Sequence, residues 1–204
     1  MRTLAIETAT QACSVALFDG DDLLAGEHVV LGRGHAERLV PMIEALPDKG
    51  RADRILVSLG PGSFTGVRIG IATARALGIA WGAQVLGYTT MALIATQSWQ
   101  SDPQPVTVCM HGGHGEWFVQ NFADTAHAED EVRSLAPDNA MEAARHRVIA
   151  GNRAQELAEL LGDERIVIDL LPDARETAKL DDAWLLPDLA PIYGRGPDAK
   201  LPVK

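Results

Sequence analysis

A carboxylate and a glycine-rich turn are the features of this sequence best placed for chemistry. Glu7 ends the apolar run LAIE and precedes Thr8. An acid at the end of the first strand of a sheet-based nucleotide enzyme can hold Mg²⁺. The turn GPGSFTG, with Gly60, Gly62 and Ser63, places bare backbone amides before a predicted helix, as anion binding requires. These five residues predict proximity to a nucleotide, and a turn that binds nothing is the alternative.

Three familiar motifs of catalytic or metal sites are each incomplete in this sequence. A Walker phosphate loop needs a second glycine after four intervening residues, and this chain has Thr65 there. The same stretch lacks the Gly-x-Ser-x-Gly spacing that exposes a nucleophilic serine. A helical metal pair would need a histidine four residues after His35, where Leu39 stands. We therefore predict no catalytic residue.

The sequence HGGHGEW brings His111, His114 and Glu116 close together and raises the question of a metal patch. Neither a fourth ligand nor a tight ligand spacing accompanies the three side chains. A solvated glycine loop is the favoured interpretation, and no bound metal is predicted.

The helix predicted after the turn is unusually rich in small residues. One face has a small residue at every fourth position, namely Gly66, Gly70, Ala74 and Gly78. A neighbouring face is small at Ala72, Ala76 and Ala80. Each interior glycine costs about 1 kcal/mol relative to alanine, so close approach by another element must offset the cost. We predict one close contact with the chain's own sheet and one with a partner helix, which Arg68 and Arg75 flank.

Apolar periodicity predicts the order strand, strand, strand, helix, strand, helix, strand, helix through about residue 100. The stretch SDPQPV predicts a boundary, which gives a first lobe over 1–102 and a second over 103–204. In the second lobe, VTVCM, EWFVQNF, RVIAG and RIVID are strand-like, and APDNAMEAARH and NRAQELAELLG are helix-like. The tail from Leu171 contains five prolines and is expected to wrap a surface.

Composition limits the classes of function. The 204 residues include 18 Lys and Arg against 28 Asp and Glu, a net charge of −10, and most of the excess lies in 103–204. Because nucleic-acid binding depends on neutralising phosphates, the chain alone is a poor candidate for it. No apolar run suits a signal peptide or a membrane span. Cys13 and Cys109 lie in apolar runs, so we expect buried thiols and a cytoplasmic location.

Three segments of the first half resemble the TsaB (YeaZ) family, which is required to make threonylcarbamoyladenosine in bacterial tRNA. They are LAIETATQACSVALFDG, GHAERLVPMIEAL and GPGSFTGVRIGIATARALGIA. The ending PIYGRGP is similar to the family's Tyr-x-Arg ending. Where the family has Asp-Ala-Arg-x-Gly-Glu-Val-Tyr, the segment from Met110 to Trp117 keeps only Gly-Glu-aromatic.

The resemblance implies an α/β fold of the actin/Hsp70/sugar-kinase type, with two ribonuclease-H-like lobes of which the second is reduced. It also implies pairing through the helices of the first lobe, with a TsaD-type catalytic subunit or with a second copy. The residues predicted for that interface are His35, Leu39, Ile43, Gly66, Arg68, Gly70, Ala74, Arg75 and Gly78.

The resemblance implies that the chain acts as a scaffold and activator and catalyses no reaction itself. The chain would support threonylcarbamoyl transfer by TsaD, which has a paired-histidine metal site not found in this sequence. A TsaE-type ATPase would join the complex, tRNA would be contacted only indirectly, and ATP or ADP with Mg²⁺ would enter at the level of the complex. The alternative is an independent nucleotide-dependent enzyme, for which Glu7, Thr8 and the turn from Gly60 to Gly66 argue.

Overall fold

The first half of the chain forms a mixed five-stranded sheet. The computed structural model describes residues 1–99, 103–123, 127–162 and 164–194. The strands of the first sheet are β1 (Arg2–Glu7), β2 (Ala12–Asp19), β3 (Asp22–Val30), β4 (Arg54–Ser58) and β5 (Gln84–Tyr88). Their order is β3-β2-β1-β4-β5, with antiparallel pairing among the first three and parallel pairing from β1 to β5. The accompanying helices are α1 (His35–Ala45), α2 (Phe64–Trp81) and α3 (Thr90–Ser98).

The second half repeats this topology. Its strands are β6 (Val106–Gly113), β7 (Glu116–Phe122), β8 (Arg133–Leu135), β9 (Val148–Ala150) and β10 (Ile166–Ile168), and its helices are α4 (Pro137–Ala143) and α5 (Ala154–Leu161). The strand order is β10-β9-β6-β7-β8, again with an antiparallel meander joined to two parallel strands. The predicted strands and helices of both halves are confirmed, except that β8 was not predicted.

Local sequence explains where the main elements begin and end. Gly20, with φ of 61°, makes the hairpin between β2 and β3, as Asp19-Gly20 predicts. The Ser63 side chain caps α2 by accepting a hydrogen bond from the Gly66 amide. Gly82 ends the helix in the left-handed region. Pro41 lies inside α1, at an exposed position.

Three apolar cores divide the molecule into layers. One lies between the first sheet and helices α1 and α2, and another between the second sheet and helices α4 and α5. The third joins the sheets, because residues of both pack around the almost completely buried helix α3. The strands of one sheet all precede the predicted boundary between residues 102 and 103, and the strands of the other sheet all follow it. Residues 100–102, next to this boundary, lie outside the described residues.

The remaining segments cover these layers. In the described ranges, 3-10 helices span Ala174–Lys179 and Asp182–Trp184, and a turn with Asp48 and Lys49 at positive φ spans Pro47–Gly50. Cys13 and Cys109 are both buried free thiols, as predicted, and burial raises the pKa of Cys13 to about 11. Within the described ranges, no helix is both long and apolar enough to cross a membrane.

Candidate functional site

A cleft of about 830 Å³ opens between the two lobes. The first lobe lines it with the β1–β2 turn and with the amino-terminal ends of α1 and α2, and the second lobe contributes the β6–β7 hairpin. Four predicted site residues line this cleft: His35, Gly62, Ser63 and Gly66. Polar residues that sequence reasoning missed also line it, among them Gln11, Arg33, Glu37 and Asn152.

Glu7 is sealed inside the first lobe and is not part of the cleft lining. One carboxylate oxygen accepts a hydrogen bond from the Ala9 amide at 2.7 Å, and the other lies 3.5 Å from the Thr90 hydroxyl that donates to it. Burial raises the pKa of Glu7 from 4.5 to about 7, although the bond from Ala9 opposes the shift. Glu7 therefore does not reach the surface of the cleft, and its proximity to a nucleotide stays a prediction.

Thr8 is hydrogen-bonded to the glycine-rich turn, of which Gly62, Ser63 and Gly66 also line the cleft. The Thr8 hydroxyl is buried and donates to the Gly66 carbonyl at 2.8 Å. The Ser63 amide donates to the Ala9 carbonyl at 2.6 Å. The amide of Gly60 donates to the Ser58 hydroxyl, and that of Gly66 to the Ser63 hydroxyl. These three turn amides are therefore already used by the chain itself.

Close backbone approach explains why the turn needs glycine. A Cβ atom on Gly62 would overlap the carbonyl group of Ala9, so only glycine lets the β1–β2 turn rest on the start of α2. Gly60 adopts a φ of 89°, in the left-handed region that favours glycine. The glycines that predicted a phosphate-binding turn thus allow close packing within the lobe.

The small-residue row of α2 faces the chain's own sheet, which corrects the predicted interface. A Cβ on Gly70 would lie 2.5 Å from the Thr8 hydroxyl oxygen, and one on Gly66 would overlap the Thr8 carbonyl. A Cβ on Gly78 would collide with Val85 in β5, and Ala74 is fully buried. These four residues let the helix approach β1, β4 and β5 closely, so none of them is free to contact a partner.

Three other predicted interface residues also lie inside the first lobe. Leu39 and Ile43 belong to the core between α1 and the sheet. His35 is buried, and its Nε2 lies 3.2 Å from the Ala12 carbonyl oxygen at the start of β2. The prediction for Leu39 and Ile43 is wrong because both point inward from α1, whereas His35 lines the cleft. Of the nine predicted residues, Arg68 and Arg75 are the exposed ones.

The β6–β7 hairpin carries the divergent histidines on the rim of the cleft. His114 and its glycine neighbours adopt positive φ angles, which build the tight turn. The His111 amide donates to the Asn152 side chain at 2.9 Å, and Glu116 accepts a hydrogen bond from Ser134 instead of joining the histidines. Among the described residues, no three His, Cys, Asp or Glu side chains are grouped so that they could hold a metal.

Two sheets of the same strand order, with helices on their faces and a cleft between the lobes, place the chain in the actin/Hsp70/sugar-kinase class of α/β proteins. A family model described as "TsaD: tRNA N6-adenosine threonylcarbamoyltransferase" matches residues 29–172. The chain belongs to this family, on its TsaB (YeaZ) branch, as its relatives show.

The relatives match about half of the chain or less in sequence and most of it in structure. The TsaB protein of Escherichia coli is 37% identical over 107 residues, which are 50% of this chain and 46% of that protein. The Haemophilus influenzae TsaB is 42% identical over 88 residues, covering 40% and 36% of the two chains. The chain therefore spans about half the length of the curated relatives it matches. The solved YeaZ of Pseudomonas aeruginosa superposes with a TM-score of 0.75 at 27% identity, over 88% of this chain and 89% of that one.

Proposed function

We propose that the chain is a non-catalytic subunit of tRNA threonylcarbamoyladenosine biosynthesis, the process named for its TsaB relatives. It pairs with a TsaD-type catalytic subunit, associates with itself when that partner is missing, and contacts tRNA only through the partner. A TsaE-type ATPase binds to the assembled pair. ATP or ADP with Mg²⁺ belongs to the complex, and no cofactor is held tightly by this chain.

The observation that carries the proposal is the exposed outer face of α2. Opposite the buried glycine row, Ala72, Ala76 and Ala80 are exposed, and Ile79 is 87% exposed. Phe64, at the start of the same helix, is 58% exposed. Such an apolar surface with small side chains lets a second helix approach closely, and it is unfavourable in water when left uncovered. It matches the predicted second close contact of this helix.

The carboxylate and three turn amides predicted for nucleotide chemistry are enclosed or engaged within the first lobe, which supports a non-catalytic role. Glu7 is enclosed and its pKa is raised, so it is poorly suited to hold Mg²⁺. Three amides of the turn, those of Gly60, Ser63 and Gly66, already donate to oxygens of the chain. Binding of phosphate there would require these hydrogen bonds to be exchanged.

Co-expression with the TsaD-type subunit of the same organism tests the proposal. We expect the two proteins to co-purify, and Ala76→Arg on the outer face of α2 to weaken the complex at least about tenfold, because the arginine occupies the contact. Asn139→Arg, on the exposed surface of α4, adds the same side chain to the other lobe and should have no effect. Equal pairing by both variants, or no pairing by the unmodified chain, would contradict the proposal.

The cleft between the lobes keeps one rival function testable. Calorimetry with ATP and Mg²⁺ on the isolated chain should show no tight binding, whereas an independent nucleotide-dependent enzyme would bind. In the same preparation, tRNA should bind only weakly at physiological salt because the chain is acidic. Submicromolar binding of tRNA by the isolated chain would contradict indirect contact.

A further inference from the structure

The carboxy-terminal strap, defined here as Leu186–Tyr193, joins β5 to the exposed side of α2. Leu186 exchanges two backbone hydrogen bonds with Gly87 in β5, at 2.7 and 2.8 Å. The Ile192 amide donates to the Leu59 carbonyl at 2.8 Å. These bonds fix the path of the strap, so the side chains and carbonyls between them occupy defined positions beside the helix.

The strap holds two arginines of α2 without neutralising them. Arg68 donates to the Tyr193 hydroxyl at 2.9 Å, and its guanidinium carbon lies 3.4 Å from the centre of the Phe64 ring. Arg75 donates to the Leu189 carbonyl at 3.4 Å. Neither arginine forms an ion pair with a carboxylate in the part of the chain that the structure describes. Each guanidinium therefore keeps its charge and several N–H donors available.

An apolar groove of about 330 Å³ lies between α2 and the strap. Its lining consists of the two arginines and five mostly apolar residues, Ile71, Ala72, Leu189, Pro191 and Tyr193. Among the residues that the structure describes, no carboxylate lines it, although the chain as a whole has a net charge of −10. The groove thus combines an apolar floor with a positive rim on an acidic protein.

We propose that this groove binds an acidic helical segment of the partner protein, whose apolar side chain enters the groove while its carboxylates meet Arg68 and Arg75. The two arginines are seven residues apart on α2, which separates them by about 10 Å along the helix axis. Carboxylates two turns apart on the incoming helix match this spacing, and a guanidinium binds a carboxylate through paired hydrogen bonds. The α2 helix contains neither Asp nor Glu, so the same helix of a second copy has no carboxylates to offer. The α1 helix of a second copy carries the exposed Glu37 and Glu44, and the self-association outcome of the test below separates that occupant from the TsaD-type subunit. The assignment rests on the proposed function for the partner's identity, a TsaD-type subunit.

A charge-reversal experiment with helical peptides tests the groove without the partner. The probe is a fluorescein-labelled, alanine-rich peptide of sixteen residues with a central leucine and two glutamates seven residues apart, and its twin has two lysines instead. We expect fluorescence anisotropy to show binding of the glutamate peptide to the unmodified chain, weakened by added salt. Arg68→Glu with Arg75→Glu should reverse the preference in favour of the lysine peptide. Arg51→Glu, at an exposed arginine before β4, controls for net charge and should leave the preference unchanged.

The same variants are then compared with the TsaD-type subunit. We expect the double reversal to weaken pairing at least about tenfold while the melting temperature changes little, and Tyr193→Phe to weaken it about two- to tenfold by releasing Arg68.

Equal binding of both peptides, or a peptide preference that the reversal leaves unaltered, would overturn the proposal that the groove binds an acidic helix. Normal pairing by the reversed chain would overturn its role in the complex while leaving the proposed function intact. Failure of the unmodified chain to pair would contradict the proposed function, and the peptides would still decide the groove. A self-associated form that only the reversal dissociates would assign the groove to a second copy and overturn the TsaD-type assignment.

Discussion

Replacing Glu7 with glutamine tests the electrostatics of the first lobe. Glu7 is fully buried, and its neighbours supply one backbone amide and a hydroxyl rather than a cation. Glutamine has almost the same shape, retains an oxygen for the Ala9 amide, and never ionises. Glu7→Gln therefore removes the charge while leaving most of the packing and one hydrogen bond in place.

The magnitude follows from the raised pKa of this carboxyl. Its pKa is about 7 in the folded chain against 4.5 in its unperturbed state, a difference worth about 3 kcal/mol. Because the folded state holds the proton more tightly, the free energy of unfolding falls as the pH rises from 4.5 to 7, and the full penalty is present above pH 7. The glutamine variant lacks this penalty. Its stability relative to the unmodified chain should rise by up to about 3 kcal/mol over that range.

Urea unfolding of both proteins at several pH values between 4.5 and 8 measures the difference. Glu44→Gln is the matched control, because Glu44 is exposed and pairs with Lys49 at 3.4 Å, so its effect should stay within about 0.5 kcal/mol at every pH. A difference between Glu7→Gln and the unmodified chain that does not vary with pH would refute the reasoning. It would mean that the carboxyl ionises as easily in the folded chain as in the unfolded one.

Three further predictions concern packing, polar networks and metal. Gly70→Leu should lower the free energy of unfolding by at least about 1–3 kcal/mol because it faces β1 and β4, whereas Ala72→Leu on the exposed face should change it little in the same urea titration. Asn121→Ala should lower the free energy of unfolding by at least about 2 kcal/mol, because the buried Asn121 side chain bonds to Thr107, Asp130 and a backbone carbonyl. Equal stability of the variant and the unmodified chain would contradict a structural role. Elemental analysis should find no stoichiometric zinc or iron, and one metal per chain that is lost in a His111→Ala, His114→Ala variant would overturn the prediction.

The elements of the fold could be predicted because most of them carry a strong periodic signal. Alternating strands and helices of the first lobe follow directly from the apolar pattern, and the longer elements of the second lobe do so too. Strand β8 was missed because its three residues, Arg133–Leu135, are too few to show alternation. The shared strand order of the two sheets was also invisible, since backbone topology repeats here without an obvious sequence repeat.

The orientation of α2 shows where residue spacing alone was insufficient. Both the inner row at Gly70 and the outer row at Ala76 are small, so the recurrence of glycine did not distinguish the sheet from a partner. A second signal was present in the sequence: Val67 and Ile71, four residues apart, lie beside the glycine row and are buried against the sheet. Because Val67 and Ile71 lie beside the glycine row, the pattern would have predicted that the glycines face the core and that the alanines are exposed.

The strap shows a different limit, that of long-range contact. The proline-rich tail was expected to wrap a surface, and the hydrogen bonds of its described part to Leu59 and Gly87 confirm this, while 195–204 lie outside the described residues. Which surface it covers depends on residues more than a hundred positions away, as in the bond between Arg68 and Tyr193. Such a pair has no local signature in the sequence, so the groove that it creates could not have been predicted.

The glycine-rich turn explains why an apparent phosphate site need not bind phosphate. Glycine permits close approach, and close approach serves either a ligand or another part of the chain. The partners of the backbone amides decide between these uses, because an amide that already donates to a protein oxygen must lose that bond before it can bind a phosphate. Here the Ser63 amide donates to Ala9 and the Gly66 amide to Ser63, while Gly62 admits the Ala9 carbonyl. The turn therefore packs the β1–β2 turn onto the start of α2, and the surface that we propose for recognition lies on the opposite side of that helix.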